Sequence, residues 1–422
     1  MDKSQKKRMF LFCALACLVY FTSYLTRKSY NASVLAIMDA TGMLKTAVSL
    51  AVTGSFITYG VGQVISGLLG DKIRPRTMIA IGLLGASLCN AVIPFFPSAV
   101  GFAVVWSING FFQSMIWPPL TRAMSENFSF SFYRRGSRLV VIAASMATVA
   151  VFGLVSLCAA RFDWRVTFYI TCLFGLAATA VWFFGDAGFE KNPVVARTGG
   201  TKREDTSGEA EKETKNKPGL FAILLASGAF VIIGSTMFCG VLRDGLETWT
   251  SSFLSDVYGM DTSTAILSVV ILPLLSIASY YLAAAMVKLT KGVVSGAAVI
   301  WGFGMLSAFL LALFYRNSAV IGIAGMALLV GCAHAINNLL TVYTVVYFRK
   351  SGHVSTVSGF INAGVYVGSA VATYGIAGIL EHTSWSVILF LLVGITTLGA
   401  VLSVLVIRRW NRFAAANSED HT

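Results

Sequence analysis

Charge is scarce in this sequence. Only 12% of its 422 residues are Asp, Glu, Lys or Arg, about half the share of an ordinary soluble chain. Hydrophobic residues make up 56%, and the mean hydropathy is +0.75. A soluble globular domain is thereby excluded, because most of the surface must face something other than water. The apolar runs also lack two-residue alternation, which excludes a membrane β-barrel. Metal-ligand spacings are missing as well. The seven cysteines (Cys13, Cys17, Cys89, Cys158, Cys172, Cys239 and Cys332) all fall inside apolar runs, where they read as small packing residues. No nucleotide loop, metal cluster or nucleophile constellation is present, so no catalytic residue, metal or cofactor is expected and the chain does not read as an enzyme.

What is there is a series of apolar runs long enough to cross a bilayer as helices. A membrane helix needs about 20 apolar residues for a hydrocarbon core of roughly 30 Å. Spans are expected at about 9–38, 46–70, 77–96, 100–125, 137–160, 165–185, 219–250, 262–288, 292–314, 319–347, 354–380 and 385–407. The first run is too long for a signal-peptide core and no small-residue cleavage site closes it, so it is expected to stay as a membrane helix.

The net charge of +13 is distributed as the positive-inside rule requires, which argues against nucleic acid as a partner. Of the 32 lysines and arginines, Lys45, Arg161, Arg165 and Arg316 fall in loops on one side, and Arg27, Lys28, Arg122 and Arg243 fall within spans. All the others lie on the side of the two termini. A multi-pass protein of the plasma membrane with both termini cytoplasmic is expected. The long polar stretch 186–218 reads as a tether between a six-helix half, 1–185, and a second, 219–422, that ends in a short cytoplasmic tail. A monomer in the lipid bilayer is expected.

The halves repeat. Arg27 is followed by Asp39-Ala-Thr-Gly42-Met43, and Arg243 by Asp256-Val-Tyr-Gly259-Met260. Six plus six helices about an axis along the membrane normal resembles the major facilitator architecture, in which substrate sits between the halves near the midplane. The run Gly67-Leu-Leu-Gly70-Asp71-Lys72-Ile-Arg74-Pro75-Arg76 is similar to that superfamily's cytoplasmic motif. Gly67, Asp71, Lys72 and Arg76 are accordingly candidates for a gate in which a carboxylate pairs with basic groups or a helix N-terminus. The matching loop at 286–292 has no aspartate.

Arg27 and Lys28 interrupt a run with no other charge between Met9 and Met38, and Arg243 interrupts another. An arginine inside a membrane costs about 2.5–3.5 kcal/mol on insertion scales and usually faces a watery cavity. Its planar fork gives two parallel bonds to a phosphate or carboxylate, so two arginines, one from each half, suit one anion. The competing reading is a local ion pair: Glu247 stands one turn from Arg243, beside Asp244. Lys28 is a further candidate for the anion site although, turned by about 100° from Arg27, it is not expected to share its face. His334, Asn337 and Asn338 share a helical face at i, i+3 and i+4 and either line the cavity or bond between helices.

Tyr24-Leu-Thr-Arg27-Lys28, Gly110-Phe-Phe-Gln113-Ser-Met-Ile-Trp117-Pro118-Pro119, Tyr133-Arg134-Arg135-Gly136, Asp163-Trp164-Arg165 and Leu242-Arg243-Asp244-Gly245-Leu-Glu247-Thr-Trp249 resemble segments of the organophosphate:phosphate antiporters. This family includes the bacterial glycerol-3-phosphate and hexose-6-phosphate carriers. The resemblance implies that Arg27 and Arg243 bind a phosphoryl group, and that inorganic phosphate leaves as the ester enters. Tyr24 and Tyr366 match expected pocket tyrosines. Met146 stands where the glycerol-phosphate carriers have a histidine, Gln63 where they have a lysine, and Thr248 where they have an acid. The leading expectation is exchange of a phosphorylated metabolite for inorganic phosphate. Proton-coupled symport of a carboxylate, with Asp244 or Glu247 as the protonated group, is the alternative. A ligand sensor of the same fold is the reading from another class.

Overall fold

The computed structural model describes residues 3–70, 73–128, 130–191, 220–345, 347–348 and 354–417. Among them are twelve helices long and apolar enough to cross a membrane: α1 Ser4–Thr41, α2 Lys45–Ser66, α3 Pro75–Phe95, α4 Ala99–Met124, α5 Arg135–Arg161, α6 Trp164–Phe189, α7 Ala229–Tyr258, α8 Thr262–Thr290, α9 Val293–Asn317, α10 Ala319–Tyr343, α11 Val357–His382 and α12 Trp385–Asn417. Twelve alternating crossings put the first and last described residues on one face, here the terminal face. The opposite one is the far face. Asp71, Lys72 and the stretch 192–219, which holds most of the expected tether, lie outside the described residues.

The seventh span departs most from expectation. It begins at Ala229 rather than 219 and runs to Tyr258 rather than 250. Gly228 takes φ +75 and separates the short helix Leu220–Ser227 from α7. A side chain there would be strained by that φ, and its Cβ would strike Val406 of α12, so glycine is required. The far end closes where Gly259 takes φ +64 as a left-handed cap, the usual glycine stop. Gly42 does the same at φ +68 after α1. The last helix also outlasts its apolar run by ten residues, carrying Arg408, Arg409 and Arg412.

Four helix starts on the far face are capped by side chains of their own. Ser98 accepts from the Gly101 N–H at 3.1 Å, Asp163 from Arg165 at 2.8 Å, Asp261 from Thr264 at 3.0 Å and Ser318 from Val320 at 3.2 Å, each satisfying a donor the helix leaves open. The bonds from Thr264 hold the exposed Asp261 carboxyl below the ordinary aspartate range. Helix α2 has no such residue of its own. Its cap comes from α11, where Glu381 accepts from the Thr46 N–H at 2.9 Å and its hydroxyl at 2.8 Å.

That cap belongs to a set of links between the first six and last six helices on the far face. Lys45 pairs with Asp256 at 3.1 Å, Asp39 accepts a bond from Thr262, and the Ser156 hydroxyl donates to the Ser263 carbonyl at 2.9 Å and bonds the Ser263 hydroxyl at 3.0 Å. The links are reciprocal. Lys45 and Thr46 follow Met43 as Thr262 and Ser263 follow Met260, so each repeated aspartate meets the start of the other half's second helix.

Candidate binding site

Polar side chains fix α1 inside the first six helices. Asn90 of α3 donates to the Thr26 carbonyl at 2.8 Å and accepts from Ser29 at 2.7 Å and Thr171 at 3.0 Å. Gln113 of α4 accepts from Ser23 at 2.6 Å and donates to Thr26 at 2.9 Å. Buried polar groups are tolerable in a membrane interior only when satisfied in this way. The network surrounds the turn carrying Arg27 and Lys28 and sets its rotation. Gln113 belongs to the motif quoted above, but its partners, like the whole role of Asn90, were not foreseen from sequence.

A cavity of about 490 Å³ lies between the halves. Tyr24, Arg27, Lys28, Arg243, Asp244, Glu247, His334, Asn337 and Tyr366 all line it. From Arg27 and Arg243 the lining continues to Gln63 of α2, Thr341 of α10 and Ser358 in the first turn of α11, at the ends of those helices that lie toward the terminal face.

Arg27 is 8% exposed and has no carboxylate within ion-pair distance among the described residues. Its guanidinium lies 3.9 Å from the Tyr59 ring centre and 5.5 Å from that of Tyr366. Arg243 lies over the same ring, at 5.7 Å. The Tyr366 ring therefore contacts both guanidinium groups and is attracted to each through its face. Gln63 donates to the Tyr59 hydroxyl at 2.7 Å, fixing that ring.

The other charges pair, and of these pairs only the local one of Arg243 with Asp244 was weighed from the sequence. Arg243 bonds its neighbour Asp244 at 2.6 Å, and Ser369 donates to the same carboxylate oxygen at 2.7 Å. Glu247 does not serve Arg243. It pairs with Lys28 across the interface at 2.8 Å, and Lys28 also stands 3.5 Å from Asp244. The cause is local: residues Val241–Gly245 form a π-helical turn, wider than an α-turn, which alters the spacing the i, i+4 argument assumed. Lys28 likewise lines the cavity that Arg27 lines, contrary to the face argument, because its long stem reaches α7 while Arg27 points to α2 and α11. Asn31 bonds Thr248 at 3.1 Å in the next layer.

Of the three polar residues in α10, His334 and Asn337 line the cavity, and Asn338 is buried outside it. Asn337 Oδ1 is enclosed without a hydrogen-bond partner among the described residues. In α5 the cavity-facing residues are Val141, Ala144, Ser145 and Thr148, and Met146 is not among them. Of the candidate gate, Gly67 lies in the last turn of the helix that contains α2. Arg76 opens α3, donating from Nε to the Phe183 carbonyl at 2.7 Å, and Asp71 and Lys72 are not described. The lining holds three cations (Arg27, Lys28, Arg243) and two carboxylates (Asp244, Glu247), so it carries an excess of one positive charge and can accept an anion.

Comparison with known proteins agrees with this picture. The chain is 24% identical over 251 residues to a probable hexose phosphate transport protein of Chlamydia pneumoniae, covering 56% of this chain and 54% of that one. It is 26% identical over 261 residues to the membrane sensor protein UhpC of Salmonella typhimurium, covering 58% and 57%. The matched region thus spans just over half the length of these relatives. A crystal structure of a D-xylose-proton symporter superposes with a TM-score of 0.72 at 12% identity, covering 95% of this chain and 98% of that one, which shows a shared fold. Residues 16–373 match the Major Facilitator Superfamily, and this chain, a multi-pass membrane protein of twelve helices, belongs to that superfamily.

Proposed function

We propose that this protein is a secondary transporter that exchanges a phosphorylated metabolite, a sugar phosphate or glycerol 3-phosphate, for inorganic phosphate by alternating access. One observation carries the reading: Arg27 is buried in a cavity between the halves with aromatic rings but, among the described residues, no carboxylate within ion-pair distance, and Arg243 lies over the same Tyr366 ring. A buried guanidinium without an anion is costly, and a phosphoryl group answers it with two parallel charge-assisted bonds. The similarity to a hexose phosphate transport protein supports the choice of anion.

On this reading the anion binds Arg27 first, with the Tyr24 hydroxyl close by. It then competes with Asp244 for Arg243. Asp244 released from Arg243 turns to Lys28, so the ligand reorganises the charges that join α1 to α7, and its binding energy is coupled to movement of the halves. The moving bodies are 1–185 and 219–422, joined by 186–218, with both termini on the cytoplasmic side of the plasma membrane, and the protein works as a monomer.

The decisive experiment is exchange in liposomes. Purified protein in vesicles loaded with phosphate is screened against labelled phosphate esters and carboxylates. Ester uptake that requires internal phosphate supports the proposal. Uptake driven by a proton gradient and indifferent to internal phosphate assigns the protein to carboxylate symport instead. The similarity to a membrane sensor protein favours one further reading, a receptor, and binding without exchange in the same vesicles would select it.

A further inference from the structure

A second concave site lies away from the central cavity, on the terminal face. It is a groove of about 590 Å³ between the end of α12 and the short helix Leu220–Ser227, lined by Ala226, Leu405, Arg408, Arg409, Arg412 and Phe413. Its walls are of two kinds. Val401 (46% exposed), Val404 (57%) and Leu405 (70%) are outward-facing apolar residues of α12, suited to hydrocarbon. Within one turn the helix changes to Arg408, Arg409 and Arg412. Leu405, Arg408 and Arg412 lie at i, i+3 and i+7, so one face of the helix passes directly from aliphatic to guanidinium.

Three arginines within five residues repel one another, and like charges at i, i+4 destabilise a helix. Among the described residues none of them has a carboxylate partner. Arg409 donates from Nε to the Ala226 carbonyl at 3.2 Å, which pins it to the groove wall, and Arg408 and Arg412 stay exposed. Below them Trp410 is buried against Tyr347 at 5.6 Å and Phe348 at 6.1 Å, an aromatic layer of the kind found at membrane–water boundaries. The groove therefore sits at headgroup depth, offers an anion three guanidinium groups, and offers the remainder of the ligand an apolar wall that continues into the bilayer.

We propose that this groove binds the headgroup of an anionic phospholipid in the leaflet on the side of the termini, with its phosphate on Arg408 and Arg412 and its acyl chain along Leu405, Val404 and Val401. The apolar wall selects a lipid over free phosphate, and the charge selects an anionic over a zwitterionic headgroup. Basic pockets between helices near the membrane surface recognise lipids in this way. Because Gly228 packs against Val406 beside the groove, a bound lipid would tie the entry of α7 to the end of α12.

The test is thermal unfolding of the full chain in neutral detergent, titrated separately with phosphatidylglycerol, phosphatidylcholine and inorganic phosphate. Phosphatidylglycerol is expected to raise the unfolding temperature and the other two are not. The variant Arg408→Gln/Arg412→Gln should bind phosphatidylglycerol roughly thirtyfold more weakly, at about fivefold per arginine near an anionic surface. Lys288→Gln/Lys291→Gln removes the same charge at the terminal end of α8 and should leave the titration unchanged. Arg412→Gln alone serves if the double variant does not fold. An equal shift in the arginine and lysine variants, or a shift produced by phosphate alone, overturns the proposal. So does a shift that appears only after Glu209, Glu211 and Glu213 are neutralised, which would assign the groove to the chain's own acidic stretch.

Discussion

Lys45 and Asp256 meet at 3.1 Å across the two halves, and the equivalent place in the repeat is taken by Thr262 and Asp39. One latch is ionic and its counterpart neutral. The ionic one is also tied to α12, since the Trp385 indole donates to Asp256 at 2.8 Å.

Lys45→Met or Asp256→Asn should loosen the far face without unfolding the protein. A partly exposed pair is worth up to about 1 kcal/mol, so the population open on that side should rise up to about fivefold. The readout is the rate at which a membrane-impermeant thiol reagent, added from the far side, labels a cysteine placed at Thr148 in a background without other cysteines. An unchanged rate in both variants would show that the latch does not hold the far side shut.

Arg27→Lys and Arg243→Lys should each weaken binding of the transported anion about ten- to a hundredfold, the loss of one charge-assisted hydrogen bond, while the protein still folds. Lysine keeps the charge but loses the fork. Calorimetry on detergent-purified variants measures this, and wild-type affinity in either variant removes that arginine from the site.

Lys28 should behave differently. Lys28→Met leaves Glu247 buried without its partner, and breaking a buried pair from one side costs about 3–5 kcal/mol. The loss should show first as reduced thermal stability. Adding Glu247→Gln should restore part of it. A Lys28→Met protein as stable as wild type would mean that the pair across the interface contributes nothing.

Tyr366 should tolerate loss of its hydroxyl better than loss of its ring. Tyr366→Phe keeps a ring face for both arginines, whereas Tyr366→Ala removes the contact that both guanidinium groups make. With about 0.5–2 kcal/mol for a cation–ring contact, the alanine variant should bind the anion several-fold differently from the phenylalanine one. Identical titrations for the two would show that the ring contact contributes nothing to anion binding.

Much of the fold was legible because hydropathy and length dictate membrane helices almost directly. The start of α7 was not, since Gly228 lies inside an unbroken apolar run and only its packing on Val406 marks the break. In the site, Arg27 and Arg243 stood out because a charge in an apolar run is expensive. The Lys28–Glu247 pair did not, because the two residues are 219 positions apart in sequence and the wide turn at Val241–Gly245 upset helical spacing. Asn90 and Gln113 were hidden for the opposite reason: a neutral amide in a membrane helix looks like any other packing residue until its acceptors are known.

The far-face seal has a kinetic consequence. A ligand arriving from that side meets a molecule whose site is behind Lys45–Asp256, Thr46–Glu381 and their counterparts, and it binds only the fraction that has opened. Its apparent dissociation constant is the intrinsic one divided by that fraction. A ligand arriving from the terminal side reaches the lining at Gln63, Thr341 and Ser358 without crossing those links. Two chemically identical anions on opposite sides of the bilayer should therefore show unequal half-saturation concentrations, and the ratio of the two measures how firmly the latch is held.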